Sequence, residues 1–417
     1  VPRATHARRP DAAERRRALA LIAGAQIGAM STWFSAAAVG VPLSRAWHLS
    51  PAQLALLTVA VQVGFVAGAL TLAVSGIADI LSARRVFVAS ALAAALANGA
   101  LPTSGGDLRL ALPLRLGLGF CLAGVYPTGM KLMTGWFRED RGLAIGVLVG
   151  ALTLGAALPH VLAGAGIAGT LPWQTVILAT SLGAVVSAAI VATFVRPGPF
   201  EAPAARLDLG WALRSLRDPA LRLANFGYFG HMWELYAMWT WIPAFLVASF
   251  EASSGASGGT GRSASLAAAL IIGAGAAGCV AAGMVADRVG RTITTATAMA
   301  LSGASAAATG LLFGQAPALV VLVALVWGIT VIADSAQFSA AISELADPVR
   351  VGSALALQTA LGFLLTAISI QALPLIQGGI GWRGAFLVLA IGPGLGAAAM
   401  LLLRTRPEAV RLAGGHR

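Results

Sequence analysis

Four ionisable residues stand in stretches of chain that otherwise shun water. His231 and Glu234 lie one helical turn apart in the apolar run HMWELYAMWTWIP, Arg115 sits in LRLGLGFCLAG, and Asp334 in ITVIADSAQF. A carboxylate away from water favours its neutral form, so Glu234 and Asp334 are candidates to carry protons, with His231 as a third coupling group. The alternative is a static pair, His231 with Glu234 at i,i+3. The same H-x-x-E spacing points two ligands to one side and is a possible metal motif. The chain has 5 histidines, His6, His48, His160, His231 and His416, and most lie outside or at the ends of the apolar runs, so no metal or other cofactor is expected. Arg115 is expected either to bind a carboxylate of a solute or to balance the acids. Enzyme and nucleotide chemistry find no support. Lys131 is the only lysine, which leaves no G-x-x-x-x-G-K-[ST] phosphate loop. The GASGG at 255–259 fits G-x-S-x-G only formally, without a strand-to-helix elbow.

The elements that hold these groups are set by composition. The 417 residues are 58% hydrophobic and 11% charged, with a mean hydropathy of +0.83, beyond any ordinary soluble domain. Helix-sized apolar runs recur at 18–43, 51–75, 86–104, 109–130, 142–164, 173–195, 221–249, 264–286, 293–314, 317–341, 351–376 and 382–403. These spans 1 to 12 predict an all-α integral membrane protein with 12 transmembrane helices, since barrel strands would be shorter and alternate. The basic start reads as a tail leading into span 1 rather than a cleaved signal. With that tail inside, 23 of the 28 Lys and Arg fall in the tails and even connections, against 4 in the odd ones. That split predicts a plasma-membrane protein, of the bacterial inner-membrane type, with both termini cytoplasmic; it accounts for the +12 charge without nucleic acid. Cys121 and Cys279 fall within spans and predict no disulfide.

The Pro- and Arg-rich stretch 196–220 divides the spans six and six. The expected layout is a tail at 1–17, a bundle at 18–195, the linker at 196–220, a second bundle at 221–403 and a tail at 404–417. The halves echo each other: Asp79 and Asp287 are 208 apart, Trp173 and Trp382 209, Gly142 and Gly352 210. Gly283, Asp287, Arg288, Gly290 and Arg291 fit G-x-x-x-D-R-x-G-R, and Arg115 with Gly119 fits R-x-x-x-G. On these motifs and repeats the chain resembles the major facilitator superfamily over essentially its full length. The first-half copy of the loop keeps Asp79, Arg84 and Arg85, but Ile80, Ser82 and Ala83 depart from the pattern.

The resemblance implies two six-helix halves built of inverted repeats, with spans 1, 4, 7 and 10 around a central cavity and spans 3, 6, 9 and 12 as scaffold. It implies that the loop residues Asp79, Arg84, Gly283, Asp287, Arg288, Gly290 and Arg291 gate one face; membrane anchoring is the simpler alternative. The ionisable residues lie on spans 4, 7 and 10. Helical spacing aligns Arg115, Gly119, Leu122 and Tyr126; Gly227, His231, Glu234, Met238 and Trp241; Trp327, Thr330, Asp334 and Gln337; and Gln26, Met30 and Trp33. Arg115, Tyr126, Gln26, Trp33, Trp327 and Gln337 are therefore the expected solute contacts, and Trp239 and Trp241 belong either there or to an interfacial belt. His160, about 27 Å along span 5 from Gly142, is expected at the far interface. Gly142, Gly146 and Gly150 are expected to pack helices closely.

Three activities fit: a secondary transporter of a small organic solute coupled to protons, a proton-driven drug-type efflux pump, or a small-anion carrier. The resemblance disfavours the last, since the superfamily's carriers of that group use arginines in spans 2 and 8 and none stands there, and the second, since its exporters often carry a Gly-Pro pair in span 5, where Gly155 and Pro159 stand without one. A non-transporting sensor would need a signalling domain that no connection can hold. The expected partners are a small-molecule substrate, protons and membrane lipids, with the protein acting as a monomer.

Overall fold

The computed structural model describes residues 11–75, 81–137, 141–165, 172–200, 208–255, 259–347 and 349–416, and among them there is no strand. Helices fall on all the expected spans, and 8 helical stretches are long and apolar enough to cross a membrane by themselves. Leu96, Leu182, Leu301 and Leu395, on spans 3, 6, 9 and 12, are exposed, as a lipid-facing scaffold requires.

Several boundaries move. Span 1 begins at Ala12, not 18, because Asp11 and Glu14 form a capping box that satisfies the first free N–H groups. Span 7 runs from Pro219 to Ser254, its start capped by Asp218. Part of the linker is a short helix, Leu209–Ser215. Spans 11 and 12 join as Val351–Arg404 across a bend at Gly381, whose φ of 71° favours glycine.

Three spans are broken. Span 1 is Ala12–Met30 followed by Ser35–Ala38 and Gly40–Trp47; span 4 is Leu108–Leu122 then Tyr126–Trp136; span 10 is Pro317–Thr330 then Ser335–Leu345. In span 1 the hydroxyls of Ser31, Thr32 and Ser35 donate to Gly28 O, Ala29 O and Thr32 O, competing with the backbone ladder. The breaks of spans 4 and 10 are repeat-related, for Tyr126 and Asp334, which close them, are 208 apart.

The repeat also governs packing. Span 4 crosses span 2 where an added Cβ on Gly119 would come 2.8 Å from the Val61 carbonyl carbon and closer to its oxygen. Span 10 crosses span 8 where one on Gly328 would come 2.7 Å from the Ile271 carbonyl carbon. Each half thus has such a glycine crossing at equivalent positions, span 2 on span 4 and span 8 on span 10. The expected G-x-x-x-G of span 5 is corrected: Gly146 faces open space and Gly150 makes ordinary contact with Ala276 at 3.6 Å. Span 5 is tight instead at Gly155, where a Cβ would meet Met30 Cβ at 2.8 Å and Ile27 O at 2.9 Å on span 1, and at Gly164 against Leu266 of span 8.

The bundle has two distinct ends. At one gather the span 3 start, the linker and the C-terminal segment: Asp208 N–H donates to Ser353 Oγ at 2.8 Å and Ala413 N–H to Glu344 at 3.0 Å. At the other, Trp47 packs edge-on to Trp173 at 5.3 Å and Gly314 N–H donates to Ser249 Oγ. The halves meet through the middle and at this second end, where Gln371 Nε2 of span 11 donates to Ala52 O of span 2 at 3.3 Å and Gly164 of span 5 abuts Leu266 of span 8.

Candidate functional site

Each buried charge has found its partners within its own half, which corrects the expectation that Arg115 and the acids share one cavity. Arg115 is fully buried. Nε donates to Leu57 O at 3.0 Å, Nη2 to Trp33 O at 2.8 Å, and Nη1 to Asn98 Oδ1 at 3.1 Å and Ser35 Oγ at 3.4 Å. The cause is the break in span 1: it frees the Trp33 carbonyl, and a guanidinium is the one side chain with donors enough to join that carbonyl to spans 2 and 3. Asn98 in turn donates to Ile177 O and the Thr180 and Ser181 hydroxyls of span 6.

In the other half, Glu234 turns toward spans 9 and 10. Its Oε1 accepts from Trp327 Nε1 and its Oε2 from Ser302 Oγ, both at 2.7 Å, and its exposure is 1%. No cation accompanies it among the described contacts. His231 does not pair with Glu234: its Nδ1 lies 2.8 Å from Asp334 Oδ1 across the span 7–span 10 joint. The pair is close but poorly aligned for a hydrogen bond, so Asp334 Oδ1 and His231 Nε2 both keep open capacity. H-x-x-E thus does not pair internally: His231 meets the joint of span 10 while Glu234 meets span 9 and the first segment of span 10, because i and i+3 differ by some 60° around the axis and each side chain follows the nearer partner.

The loop motif is divided likewise. Arg291 grips Glu344 through two donors, at 2.6 and 2.8 Å, and donates to Gln337 Oε1 at 2.8 Å. Gln337, an expected solute contact, is therefore tied to the loop instead. Asp287 is exposed and 3.7 Å from Arg291, Arg288 is exposed, Gly283 borders open space, and Gly290 turns the chain with a φ of 105°. Arg84 donates to the Val191 and Ala192 carbonyls at the end of span 6, inside its own half. Asp79 lies outside the described residues.

Between the halves stand aromatic rings. Trp33, Phe34 and Phe65 face Tyr236, Trp239 and Phe363, with centroids 4.6 Å apart for Phe65–Phe363 and 5.5 to 5.9 Å for the other cross-half pairs. Beside them remains a cavity of about 10 Å³, lined also by Met30, Leu152 and Ala156, scarcely enough for one water. Trp239 and Trp241 are buried, not in a belt; Trp241 Nε1 donates to Ile370 O at 3.1 Å. Gln26 is fully buried beside Gly129 of span 4, with both amide atoms unpartnered. Gln26, Met30 and Trp33 precede Glu234, Met238 and Trp241 by 208 residues, so the two stripes are repeat counterparts, amide against acid. Tyr126 is partly buried against the core. His160, near the end of span 5, is buried outright with neither ring nitrogen partnered, where span 5 packs on spans 1 and 8.

Sequence reasoning missed Asn98, Ser302, Glu344 and the rings of Phe34, Phe65, Tyr236 and Phe363. Asn98 and Ser302 sit on spans 3 and 9, which the resemblance set aside as scaffold. A search for neutral polar residues in those spans would have found them.

The chain matches the family model of the Major Facilitator Superfamily over residues 21–370. No curated protein matches it.

Proposed function

The chain belongs to the major facilitator superfamily, and on that premise we propose that this multi-pass secondary membrane transporter moves a small organic solute by alternating access, coupled to protons. The observation that carries this reading is the setting of Glu234, a carboxylate buried without a cation where a charge costs about 3 kcal/mol at the bilayer centre. A serine hydroxyl both donates and accepts. Glu234 Oε2 can therefore hold or release a proton and keep Ser302 as its neighbour either way. His231 and Asp334 form a second close polar pair one turn away, at the joint of spans 7 and 10. Span 7 carries Tyr236 and Trp239 on a different face, against the other half, so a proton that repacks span 7 on span 10 biases the contact that the solute must open.

The terminal end of the bundle is cytoplasmic in this reading and the protein sits as a monomer in the bacterial inner membrane. The halves are then closed toward the outside. A small-anion carrier is less well supported: Arg115 is the one Lys or Arg buried outright among the described residues, and carbonyls and neutral side chains take four of its five N–H groups.

The test uses proteoliposomes with a pH dye in the lumen, to which a sugar, an amino acid, a carboxylate, an amine and an aromatic heterocycle are added in turn. At least one solute gradient should move protons through the wild type and none through Glu234→Gln, which should still exchange that solute. Equal proton movement in Glu234→Gln and Asp334→Asn refutes the coupling.

A further inference from the structure

We infer that the solute is a planar aromatic molecule with hydrogen-bond acceptors and no anionic group, bound where the six rings between the halves now pack on one another. This rests on the reading of the protein as a carrier whose solute enters between its halves.

The ring cluster is shared three and three: Trp33, Phe34 and Phe65 from one half, Tyr236, Trp239 and Phe363 from the other. Trp33 stacks on Phe363 at an interplanar angle of 30° and Phe34 on Tyr236 at 22°, both across the boundary. When the halves part, each of these rings loses its partner across the boundary and keeps only those of its own half, such as Phe65 for Trp33 and Trp239 for Tyr236. A flat solute placed between them restores the offset and edge contacts that aromatic faces prefer.

The second observation is independent of the rings' shape. Buried indole N–H groups ordinarily find an acceptor. Here Trp233 donates to Val388 O, Trp241 to Ile370 O and Trp327 to Glu234. Among the described residues, the indole N–H groups that are themselves buried without an acceptor are those of Trp33 and Trp239, the two in the cluster, both beside the residual cavity. Two donors without acceptors at one site fit a ligand that supplies acceptors. The third observation excludes anions: no Lys or Arg of the described residues is buried outright except Arg115, whose donors are committed elsewhere.

The probes are three bicyclic molecules of one size: quinoxaline, with two acceptors; naphthalene, with none; and 2-naphthoate, an anion. Equilibrium binding to the full chain in nanodiscs is read above empty discs. Quinoxaline should bind saturably at least tenfold more tightly than naphthalene, and 2-naphthoate should not bind. Trp33→Phe and Trp239→Phe, which keep a ring and remove the N–H, should each weaken quinoxaline about tenfold, the factor of one hydrogen bond, and leave naphthalene unchanged. The inference is overturned if no probe binds saturably, if 2-naphthoate binds best, or if neither substitution affects quinoxaline. The lumen-pH assay separates it from the coupling: quinoxaline binding with this pattern but no proton movement upholds the solute class and sinks the coupling. Proton movement driven only by non-aromatic solutes does the reverse.

Discussion

Replacing Gly119 by alanine tests the central packing claim, because the crossing of spans 2 and 4 also holds Arg115. The new Cβ would lie 2.8 Å from the Val61 carbonyl carbon, and ordinary contact begins at 3.4 Å, so the helices must separate by at least 0.6 Å. The obstacle is helix backbone, which cannot swing aside. The Arg115 Nε to Leu57 O bond spans the same two helices at 3.0 Å, and 0.6 Å more brings it to 3.6 Å, past hydrogen-bond range. Overpacking costs about 1–3 kcal/mol and the lost charged hydrogen bond about 1.5–3 kcal/mol. Alanine's better helix propensity returns about 1 kcal/mol. The net loss is about 1.5–5 kcal/mol, or on the order of 10 °C in unfolding temperature for a half of this size. Gly328→Ala, at the equivalent crossing of spans 8 and 10, lacks the charged bond and should lose about 0–2 kcal/mol. Gly146→Ala faces open space and should lose nothing. Unfolding in nanodiscs is followed by a thiol-reactive dye on Cys121 and Cys279, of which Cys279 is buried until the helices part. Unfolding of Gly119→Ala within about 2 °C of wild type, or an equal loss in Gly146→Ala, refutes the close-crossing argument.

Three further outcomes follow from the same geometry. Arg115→Lys offers its donors from one point and cannot bridge Leu57 O, Trp33 O and Asn98 together; it should unfold about 5–10 °C earlier by the same dye, with quinoxaline affinity unchanged in the folded protein. Ser302→Ala leaves Glu234 Oε2 without its partner and should cut solute-driven proton movement about tenfold, with Ser302→Thr restoring it; full activity in the alanine variant contradicts the assigned role. Gln371→Leu removes a neutral hydrogen bond between the halves and should raise alkylation of a cysteine placed at Ala55 by up to about fivefold, as the closed state loses about 1 kcal/mol.

The membrane class, the helix-sized runs, the repeat near 208–210 residues and the four interior charges are legible in the sequence, because hydrocarbon enforces apolar length and makes every interior charge conspicuous. Helix boundaries were less so: the capping box at Asp11 and Glu14 extends span 1 by a turn and a half beyond its apolar part. Helical periodicity also put the right residues on spans 4, 7 and 10, yet not the right neighbours. A stripe states which way a side chain faces on its own helix; which helix it meets is set by crossings such as Gly119 on Val61 and by breaks such as that at Trp33. Those are tertiary facts. They drew Arg115 to a freed carbonyl, Glu234 to Ser302 and Trp327, and His231 to Asp334, and left the space between the halves to rings. The sequence by itself determined that charges would be buried and on which helices; only the packed structure decided their partners, since a buried polar group takes whichever complement the chain brings within about 3 Å.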